Sequence, residues 1–538
     1  MKQVFIKYRL LWFWLIGCLI IVLRRTDALF YPQFWSEDGF EFFYEAFKSG
    51  WSSFITPYAG YLHIIPRSIT YLAFFISENS AGIALMPLIM NICAIAINSI
   101  CAVAVCSDRF KWLGSIYLRM TLGFFILLFP DCHEVLGNVT NIHWWLGALT
   151  FLLLWDLIRN RKMPDWTDTV ILSLVVLTTP NGLLILPVIL VCYWLKHRFR
   201  LTFDALKILP VFIFFSIQLF LMLESRVPKD KDLIMLIYNA VDYVFVQLFA
   251  HLIFGQLLNQ TGLFITGILF FVFFCFLAAK LFKSLYFPVI FLFLLTGLYV
   301  FGAEVAEPAY RYGRYIFLPV IIIFLVLLLG FVYFLQQKRS AFKVLNISVL
   351  CIIFLFMSFR IIRNYKTPDF ERFPWKEEAS LYASDGKSFF HFPINNDYWT
   401  VSIPTSQDRG TYLSGYDMFS IDADTLRGAQ NFRIKNSSEN TSRIYNPGIS
   451  YQLPDAMFID YCCIDFESFF GVKRIRLCFF EDENAGASIV FNVENENLIQ
   501  VNSRMSALKT KFIRIDFLEK SALDNPLIIK SITYYSRQ

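Results

Sequence analysis

Charge is scarce in this chain, and polar stretches are few. Only 17% of its 538 residues are Asp, Glu, Lys or Arg, whereas 57% are hydrophobic and 18% are aromatic. No soluble globular protein of this length has such a composition. The apolar residues come in repeated runs of about 20, the length that crosses a bilayer. The composition therefore predicts a polytopic α-helical membrane protein.

Several functional signals are also missing. The sequence has no Walker motif and no GxGxxG that opens a helix, which argues against nucleotide chemistry. It also has no CxxC pair. No series of charged residues runs along the apolar segments, as it would in a proton-coupled or sodium-coupled transporter. The net charge of +6 is modest and its basic residues are spread over short loops, so nucleic acid is not an expected partner.

Short loops rich in Lys and Arg predict the topology. They lie at 109–111, 159–162, 196–200, 280–283 and 338–339, and we expect them in the cytoplasm with the N-terminus. The first apolar run has no small-residue cleavage site after it, which favours an uncleaved helix. The predicted spans are 10–24, 81–105, 114–130, 144–158, 205–223, 261–279, 285–302, 316–335 and 344–361.

Residues 168–195 are too long for one straight span. They are interrupted by Thr179-Pro180-Asn181-Gly182, which predicts two short helices that meet at a tip on the outer side. The total is then about eleven spans. Because this number is odd and the N-terminus is expected in the cytoplasm, the C-terminus is expected outside. We interpret 1–361 as a transmembrane domain with outer loops 25–80, 130–143, 224–260 and 302–315.

The tail differs in composition from the membrane segments. Residues 362–397 are interpreted as a linker that packs on the membrane domain. Residues 398–538 alternate with period two, as in "KFIRIDF", between polar turns. This pattern predicts an extracytoplasmic β-sandwich or jelly roll. In the outer loops, Tyr61–Ile76 and Leu233–Leu258 are expected to form interfacial or re-entrant helices.

The first outer loop contains "FWSEDGF", with Glu37 and Asp38 adjacent among aromatic residues. A carboxylate at a membrane surface can deprotonate a sugar hydroxyl or hold a divalent cation beside a phosphate. Alternatively, Ser36 and Asp38 cap a helix that begins near Gly39, and Glu37 is solvated. Later in this loop, Arg67 is placed to pair with a carboxylate or a lipid phosphate.

The second outer loop, "PDCHEVLGNVTNIHWW", is rich in groups that bind sugars. Amides, imidazoles and carboxylates beside indole rings match the hydroxyl edges and C–H faces of carbohydrates. The candidate sugar-binding or acceptor-binding residues of both loops are Tyr61, His63, His133, Glu134, Asn138, Asn141 and Trp144. Trp144 and Trp145 fit an interfacial aromatic belt equally well. His133 and Glu134 have no convincing third ligand, so a zinc site is not predicted.

Two arginines in the last outer loop break the positive-inside pattern. Arg311 and Arg314 lie three residues apart at the start of a helix, where both can face one anionic group such as a lipid phosphate. The alternative is an internal ion pair with Glu304 or Glu307.

The segments "WSEDG", "PYAGYLHIIPR", "EVLGNVTNIHWW" and "RYGRYIFLP" resemble the GT-C superfamily of integral-membrane glycosyltransferases, in particular bacterial serotype-converting O-antigen glucosyltransferases. The resemblance covers residues 1–360 and is most specific in the first loop. It implies transfer of a sugar from a polyprenyl-phosphate donor to O-antigen or a related surface polysaccharide, on the outer face of the bacterial inner membrane. The catalytic base would be Glu37 or Asp38, and the sequence leaves that choice open.

The same resemblance implies the remaining roles and partners. Arg311, Arg314 and Arg67 would neutralise the departing phosphate. The expected partners are the donor lipid, the glycan acceptor and membrane lipid, with a donor flippase and a donor-synthesising enzyme as further candidates. No cofactor is required, and a divalent cation is compatible with the site but not indicated. The alternatives are a non-enzymatic polysaccharide exporter, flippase or assembly protein, or an O-antigen polymerase or ligase.

Overall fold

The structure is a computed structural model and describes most of the apolar part of the chain. The described residues are 8–78, 82–130, 133–160, 162–198, 202–224, 241–254, 259–281, 314–338, 340–367, 372–373, 375–379, 382, 388–394 and the nine later strands given below. They fall into two compact units. The first comprises Met1–Phe30, Phe54–Ile69 and Met90–Asp369, and the second comprises Tyr31–Ser53, Thr70–Ile89 and Phe370–Gln538.

The longer helices follow the apolar runs of the sequence. They are α1 Arg9–Arg24, α2 Ile64–Ile76, α3 Met86–Val103, α4 Ile116–Leu128, α5 Ile142–Asn160, α6 Trp166–Val176, α7 Ile185–His197, α8 Phe203–Glu224, α9 Gln260–Leu281, α10 Arg314–Gln336 and α11 Ala341–Arg363. Helix α2 confirms a helix within the predicted interfacial segment Tyr61–Ile76. Short helical turns at Asp242–Ala250 and His251–Phe254 fall within Leu233–Leu258.

Five helices of the described chain are long and apolar enough to cross a membrane. They are Ile83–Cys106, Phe203–Glu224, Thr261–Leu281, Arg314–Gln336 and Ala341–Arg363. Shorter apolar helices lie at Ile64–Ile76, Ile116–Leu128, Trp166–Val176 and Gly182–Trp194. The protein is accordingly a helical membrane protein. The predicted span 285–302 lies outside the described residues, and the total of eleven spans stays a prediction.

The predicted break in 168–195 is confirmed. Helix α6 ends at Val176, and a 3₁₀ turn at Pro180–Leu184 leads into α7. The amides of Thr178 and Thr179 both donate to the carbonyl of Val175, at 3.0 Å each. A Cβ atom at Gly182 would lie 2.4 Å from the Cα of Val176. Only glycine allows the chain to turn back so closely on the end of α6.

The end of α1 is fixed by a buried arginine that the sequence did not single out. The Arg24 guanidinium donates to the carbonyls of Leu127 at 2.5 Å, Phe129 at 3.0 Å and Tyr365 at 2.9 Å. In return, the amide and hydroxyl of Thr367 each donate to the Arg24 carbonyl at 3.1 Å. Leu127 lies in the last turn of α4, whose carbonyls have no partner within the helix. Arg24 thus joins three distant segments of the first unit.

The tail of the second unit forms two sheets. Ten strands are described: β1 Ser388–Pro393, β2 Thr400–Thr405, β3 Asp417–Asp422, β4 Ile449–Met457, β5 Tyr461–Ser468, β6 Arg474–Phe480, β7 Gly486–Asn492, β8 Leu498–Asn502, β9 Thr510–Phe517 and β10 Ile528–Ser536. The sheet orders are β2-β1-β8-β5-β10-β3 and β4-β9-β6-β7. All pairs are antiparallel except β1 with β8.

The strands predicted from the period-two pattern are present, although burial on β6 alternates only in part, because Cys478 between Leu477 and Phe479 is buried as well. On β6, Ile475, Leu477 and Phe479 are all buried, and Leu477 pairs with Ile489 of β7 and Ile515 of β9. The Thr400 hydroxyl donates to the Val490 carbonyl at 3.0 Å and so joins the edge strands β2 and β7. Strand β1 lies within the segment 362–397 that was interpreted as a linker. The sandwich arrangement of the sheets stays a prediction.

Candidate active site

The first-loop carboxylates lie on a tight turn in the second unit. A π-helix covers Asp38–Phe43, and Asp38 is only 1% exposed, whereas Glu37 before it is half-buried. The Asp38 amide donates to the Trp35 carbonyl at 2.7 Å, and the Phe40 amide donates to the Ser36 carbonyl at 3.1 Å. The structure thereby distinguishes two carboxylates that the sequence treats alike, because one is enclosed and the other reaches solvent.

The alternative that Ser36 caps a helix at this point is wrong. A helix does begin near Gly39, at Asp38, but its N-cap residue is Glu37, which makes no side-chain cap hydrogen bond in the described chain. Ser36 has a φ of 36°, in the left-handed region that non-glycine residues rarely adopt. Among the residues that the structure describes, the buried Ser36 Oγ has no hydrogen-bond partner. π-Helical turns and strained residues both concentrate at functional sites.

Aromatic side chains enclose this turn within the second unit. The Phe34 ring lies 5.3 Å from that of Phe43 and 4.7 Å from that of Trp375. The Trp375 indole donates to the Ala84 carbonyl at 3.1 Å, which fixes the ring against the loop. Glu41 on the same π-helix is also buried, and sequence reasoning gave it no role. The signal that could have identified Glu41 in the sequence was its spacing of three residues from Asp38.

In the first unit, Tyr61, His63 and Arg67 are brought together at the start of α2. The His63 ring stacks on Tyr61 at 4.1 Å, and the Arg67 amide donates to the His63 carbonyl at 2.9 Å. Arg67 is 1% exposed. Gln218 of α8 fixes Leu62, the residue before His63. Its side chain accepts from the Leu62 amide at 3.1 Å and donates to the Leu62 carbonyl at 3.3 Å.

His143 adds a second imidazole to this group, although the sequence analysis assigned it no role. Burial lowers the pKa of His63 well below 6.5, and the nearby charges of His143 and Arg67 lower it further. Burial also lowers the pKa of His143 to about 4, against the opposing effect of its hydrogen bond with the Thr140 carbonyl. Both imidazoles are therefore neutral at pH 7, with Arg67 near His63 and Arg314 near His143, and each can donate one hydrogen bond and accept another.

The second outer loop forms its own network around Glu134. The side-chain amides of Asn138 and Asn141 donate to the Glu134 carbonyl at 2.7 Å and 2.9 Å. The Asn138 Oδ1 accepts from the Asn141 amide at 3.0 Å, and both residues are fully buried. Gly137, with a φ of 63°, supplies the turn that allows these bonds. Within the described residues, the Asn141 Oδ1 is the one atom of this network left without a partner.

The Glu134 carboxylate connects this loop to the start of α10. Its Oε1 lies 3.3 Å from Nη1 of Arg314, and both side chains are less than one-fifth exposed. Arg314 is thus paired with Glu134. The alternative of an ion pair with Glu304 or Glu307 stays a prediction, because these residues and Arg311 lie outside the described residues. Trp144 packs edge-on against Tyr315 at 5.3 Å. Trp144 and Trp145 are buried, which does not fit a lipid-facing aromatic belt.

The predicted site residues accordingly lie in one group of the second unit and two groups of the first unit, and His143 lies between the latter two, close enough to His63 and Arg314 for electrostatic interaction. Glu37 and Asp38 belong to the second unit. Tyr61, His63 and Arg67 form one group of the first unit, and Glu134, Asn138, Asn141 and Arg314 form the other, with Trp144 packed on His143 at 4.9 Å. His133 is half-buried at the start of the Glu134 turn. In the described part of the chain, no cluster of three or more His, Cys, Asp or Glu residues is arranged to hold a metal ion.

No protein-family model matches the sequence, and no curated protein is similar enough to match it.

Proposed function

We propose that this membrane protein is a GT-C-like glycosyltransferase that uses Asp38 as its catalytic base. One observation carries the proposal. Asp38 is only 1% exposed, on a π-helical turn rich in buried aromatic residues that follows a residue in a strained conformation. Burying a carboxylate and holding a strained residue both cost stability, and such features persist where they serve a function.

The reaction assigned to this carboxylate is sugar transfer from a polyprenyl-phosphate donor. Asp38 accepts the proton of an acceptor hydroxyl while that oxygen attacks the anomeric carbon of the donor sugar. The bond from the anomeric carbon to the phosphate oxygen breaks, and its electron pair leaves with the phosphate. Burial of Asp38 limits the access of water to the base and strengthens its electrostatic interactions. Glu37, which is more exposed, is assigned to orienting the acceptor.

The cations of the first unit suit the leaving phosphate. Arg67 is a buried, permanently charged fork beside two neutral imidazoles, and preorganised charge of this kind stabilises a departing oxyanion. Arg314 would share the phosphate with Arg67 and with Arg311. We assign Asn138 and Asn141 to holding Glu134, whose carboxylate orients Arg314. His63, Tyr61, His133 and Trp144 are assigned to the sugar or the acceptor.

The finer topology belongs to the same proposal. About eleven spans would place the N-terminus in the cytoplasm and a β-sandwich tail outside the bacterial inner membrane. The acceptor would be O-antigen or a related surface polysaccharide. A flippase and a donor-synthesising enzyme would supply the polyprenyl-linked sugar.

Isosteric replacement of the two carboxylates tests the proposal directly. We expect Asp38→Asn to lower sugar transfer about 100-fold or more, since general-base catalysis contributes that much, and Glu37→Gln to have a smaller effect. Surface glycans of cells that produce each variant are compared by mass and linkage analysis, at matched protein levels in the membrane. Glu45→Gln, in the helical turn Tyr44–Ser49 that follows, is the matched control.

Full transfer by both Asp38→Asn and Glu37→Gln would overturn the assignment of a first-loop base. The same measurement separates the alternatives. An exporter or flippase would change the amount of surface polysaccharide but not its linkages, and a polymerase or ligase would change chain length or attachment.

A further inference from the structure

A cavity of about 450 Å³ lies in the first unit, away from the candidate active-site residues. It lies among the ends of α5 and α7, the starts of α6 and α8, and the turn that follows α3. Its lining contains four aspartates and four cations, alongside two apolar residues; the cations are Arg109, Lys162, Lys196 and Lys207, and the apolar residues are Leu157 and Met163. The volume is within the range of small-molecule sites.

One wall carries an excess of negative charge. Arg109 Nε lies 2.8 Å from Asp156 Oδ2, and its two terminal nitrogens bind both oxygens of Asp168. A single guanidinium thus faces two carboxylates. Asp165 adds a third on this wall, where it caps α6 and remains exposed. Trp112 donates to Asp156 at 3.0 Å and fixes that carboxylate in place.

The other wall carries an excess of positive charge. Lys196 and Lys207 bind the two oxygens of Asp204 at 2.8 Å and 2.9 Å, so two ammonium groups share one carboxylate. His197 Nε2 lies 2.9 Å from Oδ2 of Asp204, the oxygen that Lys196 binds. Lys196 is well exposed, so it retains donors for a further partner. The cavity therefore has a positive wall and a negative wall.

The cavity lies at the start of a helix that is long and apolar enough to cross a membrane, the position that lipid headgroups occupy. Asp204 and Lys207 occupy the first two turns of Phe203–Glu224, one of the helices able to cross a membrane. Large aromatic side chains at the ends of three helices around it are exposed, namely Trp166, Trp194 and Phe203. Aromatic residues in this position are typical of the membrane–water interface.

From these observations we propose that the cavity binds the headgroup of an ethanolamine phospholipid. Its phosphate would contact Lys196 and Lys207, and its primary ammonium would donate hydrogen bonds to Asp165 and the adjoining carboxylates. The zwitterion matches both walls, whereas an anionic headgroup would face the carboxylates and a quaternary ammonium would offer them no N–H donor. This site is independent of the proposed sugar transfer.

Lipid retention by the full-length protein tests the site. The protein is delipidated in detergent, equilibrated with equal amounts of phosphatidylethanolamine, phosphatidylglycerol and phosphatidylcholine, and examined by native mass spectrometry. Phosphatidylethanolamine should be retained preferentially. The double variant Lys196→Gln/Lys207→Gln should weaken that retention about tenfold, as expected for lost hydrogen bonds to a charged group. Lys280→Gln, in the last turn of α9, is the matched control and should retain the lipid.

Asp165→Asn provides a second variant that should fold, because Asn caps helices as well as Asp. It should reduce retention of phosphatidylethanolamine and increase that of phosphatidylglycerol. The proposal is overturned if the unmodified protein retains phosphatidylglycerol or phosphatidylcholine as strongly as it retains phosphatidylethanolamine. It is also overturned if neither the double variant nor Asp165→Asn changes retention. Sugar transfer assayed on the same preparations reports separately on the glycosyltransferase.

Discussion

Two polar clusters of the first unit hold arginines among apolar helices in different ways. Arg67 is enclosed beside His63 and His143, which burial keeps neutral. Arg109 is partly exposed and binds Asp156 and Asp168. Burial acts to lower the pKa of Arg109, but hydrogen bonds and charges from these carboxylates outweigh it and raise that pKa. Two carboxylates thus hold Arg109 in place at the wall of the ionic cavity, whereas Arg67, to which we assign the leaving phosphate, lies near the buried, neutral imidazole of His63.

The largest expected difference between the two clusters is the effect on sugar transfer of replacing each arginine by lysine. Arg67→Lys should lower sugar transfer about 100-fold, because a lysine cannot present the planar fork of donors that stabilises a departing phosphate. Arg109→Lys should leave transfer within about twofold, since it lies outside the assigned site. Surface-glycan analysis of cells with equal amounts of each variant makes the measurement. Equal losses in both variants would refute the division between the clusters.

Removal of Arg109 should have the largest effect on stability. Arg109→Ala leaves Asp156 and Asp168 buried without their shared cation and should destabilise the protein by about 3 kcal/mol. Thermal unfolding of the purified protein in detergent would record a lower Tm. Asp108→Asn is the matched control, because this neighbouring carboxylate is exposed and pairs with Arg9 at the surface. An unchanged Tm for Arg109→Ala would contradict the structural role of the cluster.

Acid should weaken the histidine cluster by a smaller amount. His143 has a folded-state pKa of about 4 and an ordinary value of 6.5, so the unfolded chain binds more protons between these limits. Stability should therefore fall as the pH drops below 6.5 and should lose about 1 kcal/mol from this residue between pH 7 and 5.5. Thermal unfolding across this range, compared with His143→Gln, provides the test. A variant as sensitive to acid as the parent protein would exclude His143 as a source of the effect.

Helices and strands were predictable where a local pattern determines them. Apolar runs predicted α8, α10 and α11 closely, and the Pro-Asn-Gly break predicted the division between α6 and α7. Alternation predicted β6 and β9. Each of these patterns lies within one segment of sequence, so no knowledge of distant contacts was required.

The missing parts depend on contacts between distant segments. Asp156 and Asp168 bind Arg109 across 47 and 59 residues, and the basic loops around them were interpreted only as markers of the cytoplasmic side. The Asp-x-x-Asp capping pattern at residues 165–168 was a signal for one end of this cluster. Glu134, which pairs with Arg314, lies in a different loop 180 residues earlier, so no local pattern could predict this contact.

The contacts of Arg24 have a consequence for biosynthesis. The partners Tyr365 and Thr367 are synthesised more than 340 residues after the first helix. The Arg24 guanidinium can bind the Leu127 and Phe129 carbonyls early, but its contacts with 365–367 must wait until almost the whole helical region has left the ribosome. A chain truncated before residue 365 should leave the insertion machinery with this junction unmade, and quality-control proteases would encounter it as an incomplete product.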